Sequence, residues 1–494
     1  MCNRTLHSLL TGIVEVPSVL DVTIHGLQSD SRCVRTGDAF MALAGSKGDA
    51  WAYVPEAIKR GAVAVLLETQ DDQGCDEREG VLLVKVPGLS RRLGLIADRF
   101  YEAPSAELHV LGVTGTNGKS SVTRYVEQLL NELGVRTGQL GTLGYGLPEK
   151  LMPATHTTPD VVRVHRWLKE MKREGAGAVV MEVSSHALEQ GRVDDVRFEG
   201  AIFTNLTRDH LDYHGSMDAY GAAKAKLFKR EGLSFAAINF DDPFGRQLAT
   251  QVADHCDVLR YSLHESSVEL WLEKLHTAPS GFKARLNGRW GLMDIAAPLM
   301  GSFNVSNVLA AMTAVLAMGY APDRVAASVS RLTPAPGRLQ PFMRDDGLRV
   351  VVDYAHTPDA LSNALAALRP HVDGHLWCIF GCGGDRDTGK RPEMAAVAEE
   401  LADRVVVTDD NPRTESPQQI VSDILKGFRV PAEVTVEHQR AKAIADVLEQ
   451  AAAGDVVLVA GKGHEDYQEV GTERLPYSDI QTVSELLTAK RAAL

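Results

Sequence analysis

A glycine-rich segment that contains a lysine and several hydroxyl residues is the part of the sequence best suited to chemistry. Gly115-Thr116-Asn117-Gly118-Lys119-Ser120-Ser121 lies between a short apolar run and a stretch with helical spacing. In this setting backbone N–H groups bind a polyphosphate, the lysine reaches its β- and γ-phosphates, and the serine hydroxyl faces a magnesium ion. Strict Walker spacing requires glycine where this chain has Val113. We therefore predict a variant phosphate loop that binds ATP, in preference to a plain glycine turn.

Two polar residues lie at the ends of neighbouring apolar runs and could add metal ligands. Glu182 ends the run AVVME, and His210 follows the run AIF. A carboxylate in an apolar strand is costly unless it is paired or bound to metal. Each residue alone could be a structural polar residue, but together with the phosphate loop they favour a magnesium site. Magnesium prefers oxygen ligands, so a histidine ligand would be unusual.

Regular elements must hold these residues in place. Apolar residues recur every three or four positions from Val122 to Leu133, which predicts a helix, and Gly134 follows as its cap. Apolar strands alternate with helical stretches, as in a mostly parallel sheet covered on both faces. The predicted strands are 108–113, 178–183, 201–203, 236–238, 350–352, 376–380, 405–407 and 456–460.

The chain has the texture of an α/β protein with three domains. We predict a small N-terminal α/β domain over residues 1–105, a central doubly wound domain resembling a P-loop ATPase over 106–337, and a Rossmann-like C-terminal domain over 338–494. Proline-containing links at 101–105 and 333–337 mark the boundaries. Several predicted strands end in polar loops, and ligands of open α/β sheets bind at the carboxyl ends of strands.

Composition excludes several classes of protein. Of the 494 residues, 44% are hydrophobic and 24% are charged, as in ordinary soluble proteins. The net charge of −13 argues against a nucleic-acid-binding protein. No apolar run reaches membrane-spanning length and no signal peptide is evident, so we expect a cytoplasmic protein without membrane insertion. The six cysteines form no CxxC pair and are expected to be reduced thiols.

Several long motifs resemble those of the Mur ligase family, in sequence and in order. They are GTNGKSS, EVSSHAL, FTNLTRDHLDYHG, GSFNVSN, DYAHTPDAL and FGCGGDRD, and they span essentially the whole chain. DNPRTE and AGKGHEDYQ are similar to the segments of those members that add meso-diaminopimelate to UDP-N-acetylmuramoyl-L-alanyl-D-glutamate. From this resemblance we expect an ATP-dependent amide ligase that acts in peptidoglycan precursor synthesis in the bacterial cytoplasm.

The resemblance also assigns the catalytic centre. Lys224 matches a lysine that the family carries as a CO2-derived carbamate, an anionic oxygen ligand for magnesium; from the residues alone it could be a solvated helix residue. Gln340 stands where the family usually has glutamate, which removes any charged role there. The implied catalytic residues are Lys119, Lys224, Glu182 and His210. The implied metal ligands are Ser120, Glu182, His210 and carbamylated Lys224, and the implied further ATP contacts are Asn304, Arg338 and Asp353.

Two more sets of residues are assigned by the same resemblance. The residues implied for the UDP-linked substrate are Ser29, Ser31, Ser46, Lys47, Gly48, His156, Thr157, Thr158, Ser184, Gln190 and Arg192. The residues implied for diaminopimelate are Arg386, Asp410, Asn411, Pro412, Arg413, Gly461 and Glu465. An arginine can bind the extra carboxylate of diaminopimelate through two parallel hydrogen bonds; an ordinary polar turn is the alternative for DNPR.

The implied reaction is phosphoryl transfer to the D-glutamate side-chain carboxylate, followed by attack of an amine on the acyl phosphate. The base that deprotonates the amine is left open between His356 and Asp209. We expect a monomer. A lysine-adding Mur ligase or a folylpolyglutamate synthase is the alternative within the superfamily, and a P-loop ATPase that moves a partner is the alternative outside it.

Overall fold

The structure is a computed structural model that describes residues 3–45, 48–278 and 281–492. The chain divides into two compact units, Met1–Tyr261 with Ala310–Tyr320, and Ser262–Leu309 with Ala321–Leu494. The helices assigned to the first unit are Leu6–Leu10, Val54–Lys59, Leu89–Phe100, Lys119–Glu132, Val161–Arg173, Ser185–Glu189, Leu211–His214, Met217–Ala225 and Pro243–Val252. Those that follow are Ser302–Ala317, Pro322–Ser328, Pro358–Leu368, Lys390–Leu401, Pro417–Leu425, Arg440–Gln450 and Asp479–Ala492. Among the described residues, no helix has the length and apolar character needed to cross a membrane.

The first unit begins with a small five-stranded sheet. Its strands are parallel except for the edge strand Gly74–Arg78. Buried aliphatic residues of the sheet pack against helix Leu89–Phe100, whose apolar side is buried. In spatial order the strands are Gly26–Gln28, Asp38–Ala42, Ala64–Thr69, Val81–Pro87 and Gly74–Arg78.

A larger, mostly parallel sheet forms the rest of the first unit. The strand that precedes the phosphate loop, His109–Thr114, lies between Ala178–Glu182 and Gly200–Phe203, and all three run parallel. Their carboxyl ends therefore bring Gly115, Val183 and Thr204 to one edge of the sheet. In spatial order the strands are Gly144–Gly146, Thr137–Gly141, Ala178–Glu182, His109–Thr114, Gly200–Phe203, Phe235–Asn239 and Asp257–Ser262.

The second unit contains a six-stranded sheet and smaller antiparallel elements. The central strand Val456–Ala460 lies between Arg349–Asp353 and Leu376–Phe380, parallel to both. In spatial order the strands are Gln340–Met343, Arg349–Asp353, Val456–Ala460, Leu376–Phe380, Arg404–Val407 and Thr435–Val436. The antiparallel strands are Leu270–Ala278, Gly281–Gly288 and Met293–Ala297, and the hairpin strands are Tyr467–Val470 and Glu473–Pro476.

The predicted α/β architecture is confirmed, because every predicted strand is present to within about two residues. The predicted helix is present as Lys119–Glu132, and Gly134 follows it with φ +94°, the conformation for which glycine is favoured. The antiparallel strands between Leu270 and Ala297 were not predicted, and in Leu270–Ala278 buried and exposed residues do not alternate regularly. The proposed domain boundaries stay a prediction.

Truncation of a central side chain should test the packing of the second unit. Leu458 is fully buried in the central strand, so Leu458→Ala should lower the free energy of unfolding by about 2–5 kcal/mol. Urea unfolding followed by tryptophan fluorescence measures the loss. Leu292→Ala is the control, since Leu292 is 55% exposed. Equal effects of the two substitutions would contradict the assigned core.

Candidate active site

The phosphate loop connects strand His109–Thr114 to helix Lys119–Glu132 and is shaped by two glycines. Gly115 has φ +151°, and a Cβ there would lie 1.9 Å from Thr204 Oγ1 on the neighbouring loop. Gly118 adopts φ +85° just before the helix. Lys119 Nζ donates to the carbonyl oxygens of Gly115 at 2.9 Å and Thr116 at 2.8 Å. The lysine amine therefore lies on the loop that is predicted to hold the phosphates.

Glu182 is buried at the end of its strand and is held by hydroxyl and amide donors. Ser120 Oγ donates to Glu182 Oε2 at 3.0 Å, and the Thr142 amide donates to Glu182 Oε1 at 2.8 Å. A hydroxyl beside a carboxylate next to a phosphate loop is the type of oxygen donor that Mg²⁺ prefers. No group of three or more His, Cys, Asp or Glu residues able to hold a metal occurs within residues 3–45, 48–278 and 281–492. The oxygen donors fit Mg²⁺ if phosphates complete its coordination.

Lys224 is not the solvated helix residue that its sequence context allows, since its side chain is 1% exposed. Its Nζ donates to the Gly115 carbonyl at 2.9 Å and lies 4.3 Å from the centre of the Tyr220 ring. Burial, followed by the charge of Lys119, holds the pKa of Lys224 well below its ordinary value. This shift favours the uncharged amine, which is the form that reacts with CO2. Lys226, by contrast, is half-exposed and paired with Glu189.

The ring of Tyr220 lies close to both His210 and Lys224. His210 begins helix Leu211–His214 with φ +53°, and its ring lies edge-on to that of His186 at 4.9 Å and 6.1 Å from that of Tyr220. The four predicted metal ligands form two groups. Ser120 contacts Glu182 directly, whereas His210 and Lys224 each lie beside the ring of Tyr220. Both groups adjoin the phosphate loop.

Most residues assigned to the muramoyl-peptide are connected to each other. Thr158 Oγ1 donates to the Glu182 carbonyl at 2.8 Å and accepts from the Ser184 amide at 3.1 Å. Arg192 donates to the Thr158 carbonyl at 2.9 Å and, through Nε, to Gln190 Oε1 at 2.9 Å. Thr157 joins the group through Thr142, which donates to it at 3.3 Å. His156 is exposed next to this group.

The residues assigned to the uridine end are less completely defined. Ser29 is exposed, and Ser31 is buried and donates to Glu56 Oε2 at 2.8 Å. Ser46 and Lys47 lie outside the described residues, and Gly48 begins a short antiparallel strand, Gly48–Asp49. These assignments stay predictions.

In the second unit, a buried lysine organises the acidic residues assigned to diaminopimelate. Lys462 is fully buried, and its Nζ lies 3.0 Å from Asn411 Oδ1, 3.1 Å from Glu465 Oε2 and 3.5 Å from Asp410 Oδ1. Asn411 Nδ2 also donates to Glu465 Oε2 at 3.0 Å. A Cβ on Gly461 would lie 3.1 Å from Asp410 Oδ2. Two carboxylates against one lysine leave one negative charge, which suits a single ligand ammonium.

Arg413 already has an anionic partner within the protein. Its Nε donates to Glu469 Oε2 at 2.8 Å, and its Nη1 donates to the Gly384 carbonyl at 2.8 Å. Arg413 therefore keeps an anionic partner whichever amino acid is bound. Discrimination between diaminopimelate and lysine must therefore come from the N–H groups of Arg413 that these two hydrogen bonds leave available. Arg386 is exposed on the same glycine-rich loop, and Pro412 precedes Arg413 in the buried part of the turn.

Three of the residues assigned to the nucleotide, Asn304, Arg338 and Asp353, belong to the second unit. The Arg338 guanidinium lies 4.5 Å from the centre of the Tyr354 ring, and its buried Nε lacks a hydrogen-bond partner in the described structure. The Asp353 carboxylate accepts from the Leu339 amide at 2.7 Å, and burial raises its pKa. Burial and the charge of Arg338 lower the pKa of His464 to about 4. Asn304 is buried and donates to the Met300 carbonyl at 2.8 Å.

Gln340 has a structural role that needs no charge. Its Oε1 accepts from the Gly337 amide at 2.9 Å, and Gly337 adopts φ +64° against the backbone of His464. An amide oxygen accepts this bond as well as a carboxylate oxygen does, so the departure from glutamate leaves the turn intact.

Four residues that contact the predicted site were missed in the sequence. They lie beside assigned residues but are scattered in the chain, and only the fold brings them into contact. Two of them could have been found from the sequence. Lys462 lies between two glycines in the motif AGKGHEDYQ, and Tyr220 lies one helical turn before Lys224, a spacing at which helical side chains meet. The four residues are Thr142, Tyr220, Lys462 and Glu469.

Comparisons with known proteins agree with this geometry. Three models of the Mur ligase group match in succession: "Mur ligase family, catalytic domain" over residues 23–101, "Mur ligase middle domain" over 113–315, and "Mur ligase, glutamate ligase domain" over 337–463.

Relatives match along nearly the whole chain. The UDP-N-acetylmuramoyl-L-alanyl-D-glutamate–2,6-diaminopimelate ligase of Ectopseudomonas mendocina is 51% identical, with 96% of each chain covered. The ligase of the same name from Pseudomonas aeruginosa is 49% identical over 95% of this chain and 96% of its own. A solved structure with that name is 37% identical, with a TM-score of 0.69 and 95% of each chain covered. A folylpolyglutamate synthase of Mycobacterium tuberculosis, 23% identical with a TM-score of 0.63 over 76% of this chain and 91% of its own, shares the fold. The chain belongs to the Mur ligase family.

Proposed function

We propose that the protein uses ATP to join meso-diaminopimelate to UDP-N-acetylmuramoyl-L-alanyl-D-glutamate in peptidoglycan precursor synthesis. The observation that carries the proposal is the presence, at one sheet edge, of a cluster of acidic side chains around Lys462 and of the guanidinium of Arg413. The far end of diaminopimelate carries both an ammonium and a carboxylate, and this edge offers a partner for each. The names of the similar ligases support the same substrate pair.

The first chemical step is phosphoryl transfer from ATP. An oxygen of the D-glutamate side-chain carboxylate bonds to the γ-phosphorus as the bond to the β-phosphate oxygen breaks, which gives an acyl phosphate and ADP. Lys119 and the loop amides neutralise the phosphate charges that would otherwise repel the carboxylate. Bound near Ser120 and Glu182, Mg²⁺ would supply further positive charge at the phosphates.

The second step forms the amide. The uncharged amine of diaminopimelate attacks the acyl carbon, inorganic phosphate leaves with the bonding electron pair, and the amine loses one proton. His356 and Asp209 remain the candidates for its acceptor. His356 Nδ1 lies 2.8 Å from the Tyr354 carbonyl, which leaves Nε2 as the basic nitrogen, whereas the Asp209 carboxylate accepts from the His210 amide at 2.8 Å.

Product formation with defined substrates separates the proposal from its alternatives. ADP release should require both the nucleotide dipeptide and meso-diaminopimelate. A lysine-adding ligase would accept L-lysine equally well, and a folylpolyglutamate synthase would require a folate and glutamate. ADP release from ATP alone would support a P-loop ATPase instead. A cytoplasmic location follows from the need for ATP and a UDP-linked substrate, and we retain the expectation of a monomer.

Loss of the phosphate-loop lysine should remove activity without unfolding the protein. Lys119→Ala deletes the amine that lies on the Gly115 and Thr116 carbonyls, so kcat/KM should fall roughly 100- to 1,000-fold while thermal unfolding changes little. Ligation assays and calorimetry measure the two effects. Lys150→Ala is the control, since Lys150 is an exposed lysine paired with Glu174. Near-native turnover by folded Lys119→Ala protein would refute the assignment.

Lys224 should carry a carbamate. With ¹³C-labelled bicarbonate, the native protein should show a carbamate carbon resonance that is absent in Lys224→Ala. The reason is that burial, followed by the charge of Lys119, holds the pKa of Lys224 well below its ordinary value, which favours the uncharged amine. As pH falls below that lowered pKa, the amine gains a proton and the resonance should disappear. Lys226→Ala should keep the resonance, and its loss in that variant instead would contradict the assignment.

Arg413 should matter for diaminopimelate more than for ATP. Arg413→Ala should lower kcat/KM for diaminopimelate roughly 100-fold, because a charge-assisted partner of the substrate carboxylate is lost. Arginine and alanine tolerate φ +51° equally poorly, so backbone strain at position 413 does not differ between the native protein and the variant. Arg386→Ala, which removes an exposed cation, should have the smaller effect. Native enzyme that uses L-lysine as efficiently as diaminopimelate would contradict the assigned role.

A further inference from the structure

The loop that carries Arg413 is held by the hairpin Tyr467–Pro476. The Arg413 amide donates to the Glu469 carbonyl at 3.0 Å, and the Gly471 amide donates to the Arg413 carbonyl at 2.8 Å. These bonds hold Arg413 at φ +51°, a left-handed conformation that is unfavourable for a residue with a side chain. Backbone strain of this kind persists where surrounding structure fixes it, which is common in functional sites.

The same hairpin also fixes the side chain. Glu469 Oε2 accepts from Arg413 Nε at 2.8 Å, while its other oxygen accepts from Arg474 Nε at 3.0 Å. On the opposite side, Arg413 Nη1 donates to the Gly384 carbonyl at 2.8 Å. A Cβ on Gly383 would lie 2.9 Å from Arg413 Nη1, so a side chain there would displace the guanidinium from its present position.

These contacts divide the five N–H groups of Arg413 into two sets. Two are used by Glu469 and Gly384, and three remain on the two terminal nitrogens. The terminal pair is the end of the fork that binds a carboxylate through parallel hydrogen bonds. Glu469 thus restrains the guanidinium by its Nε edge without covering its terminal end.

We propose that Glu469 is a positioning residue that determines specificity for the amino-acid substrate by aiming Arg413 at the substrate's distal carboxylate. The inference rests on the proposed ligation of diaminopimelate. It depends on the reach of the Glu469 side chain more than on its charge, because an acceptor must meet Nε where Oε2 now lies. A carboxylate that served only to neutralise Arg413 would not need that reach.

Two substitutions separate reach from charge. Glu469→Asp keeps the charge but is one methylene shorter, whereas Glu469→Gln keeps the reach and an acceptor oxygen without the charge. We expect Glu469→Asp to raise KM for meso-diaminopimelate roughly tenfold and Glu469→Gln to raise it less, in line with the loss of one oriented hydrogen bond to a charged group. The preference for diaminopimelate over L-lysine should fall in the same order. KM for ATP and for the nucleotide dipeptide should stay within about twofold, since roughly 0.4 kcal/mol is a small indirect effect.

Arg474→Ala is the matched control, because Arg474 binds the other Glu469 oxygen but is 65% exposed. It should leave all three Michaelis constants unchanged. A larger diaminopimelate KM for Glu469→Gln than for Glu469→Asp would overturn the inference, as would unchanged or lower values in both. A parallel rise of all three constants would also overturn it, since that result indicates general loosening. If the native enzyme fails to ligate diaminopimelate in the same assay, the proposed function itself fails.

Discussion

Two lysine amines converge on one carbonyl oxygen of the phosphate loop. Lys119 and Lys224 each donate to the Gly115 oxygen at 2.9 Å, although they are far apart in the sequence. Burial of Lys224, followed by the charge of Lys119 beside it, holds the pKa of Lys224 well below its ordinary value. The geometry of the loop therefore favours the uncharged form of the more deeply buried amine.

The parallel order of the strands makes that convergence possible. The strand before the phosphate loop lies between two parallel strands, so Glu182 and Thr204 meet the loop at the same sheet edge. The approach is so close that Thr204 leaves no room for a side chain at Gly115. Ser120, at the start of the following helix, then contacts Glu182 directly. Glycine, hydroxyl and carboxylate are thus fixed by one packing arrangement.

In the second unit, too, adjacent parallel strands bring charged residues together at one sheet edge. Asp353 ends one of three adjacent parallel strands, and the loops after the other two contribute the Gly383–Arg386 segment and Lys462 with Glu465. Lys462 holds two carboxylates and an amide by one fully buried amine, while Glu469 holds Arg413 from the following hairpin. A cationic and an anionic binding position can coexist at this edge because each is compensated by its own neighbour.

The sequence alone was enough to predict the α/β class, the main parallel strands and the phosphate loop, and it supplied candidates for the site residues. These depend on local features: apolar periodicity, glycine turns and long motifs that stay recognisable along the chain. Tertiary structure decided which side chains meet. Thr142, Tyr220, Lys462 and Glu469 were missed, and the anion bound to Arg413 was not foreseen, because those contacts depend on strand order and on a hairpin that follows the motif. The lowered pKa of Lys224 likewise could not be predicted from the residues around it. Its causes are burial and the charge of Lys119, which is far away in the sequence and is brought close only by the fold.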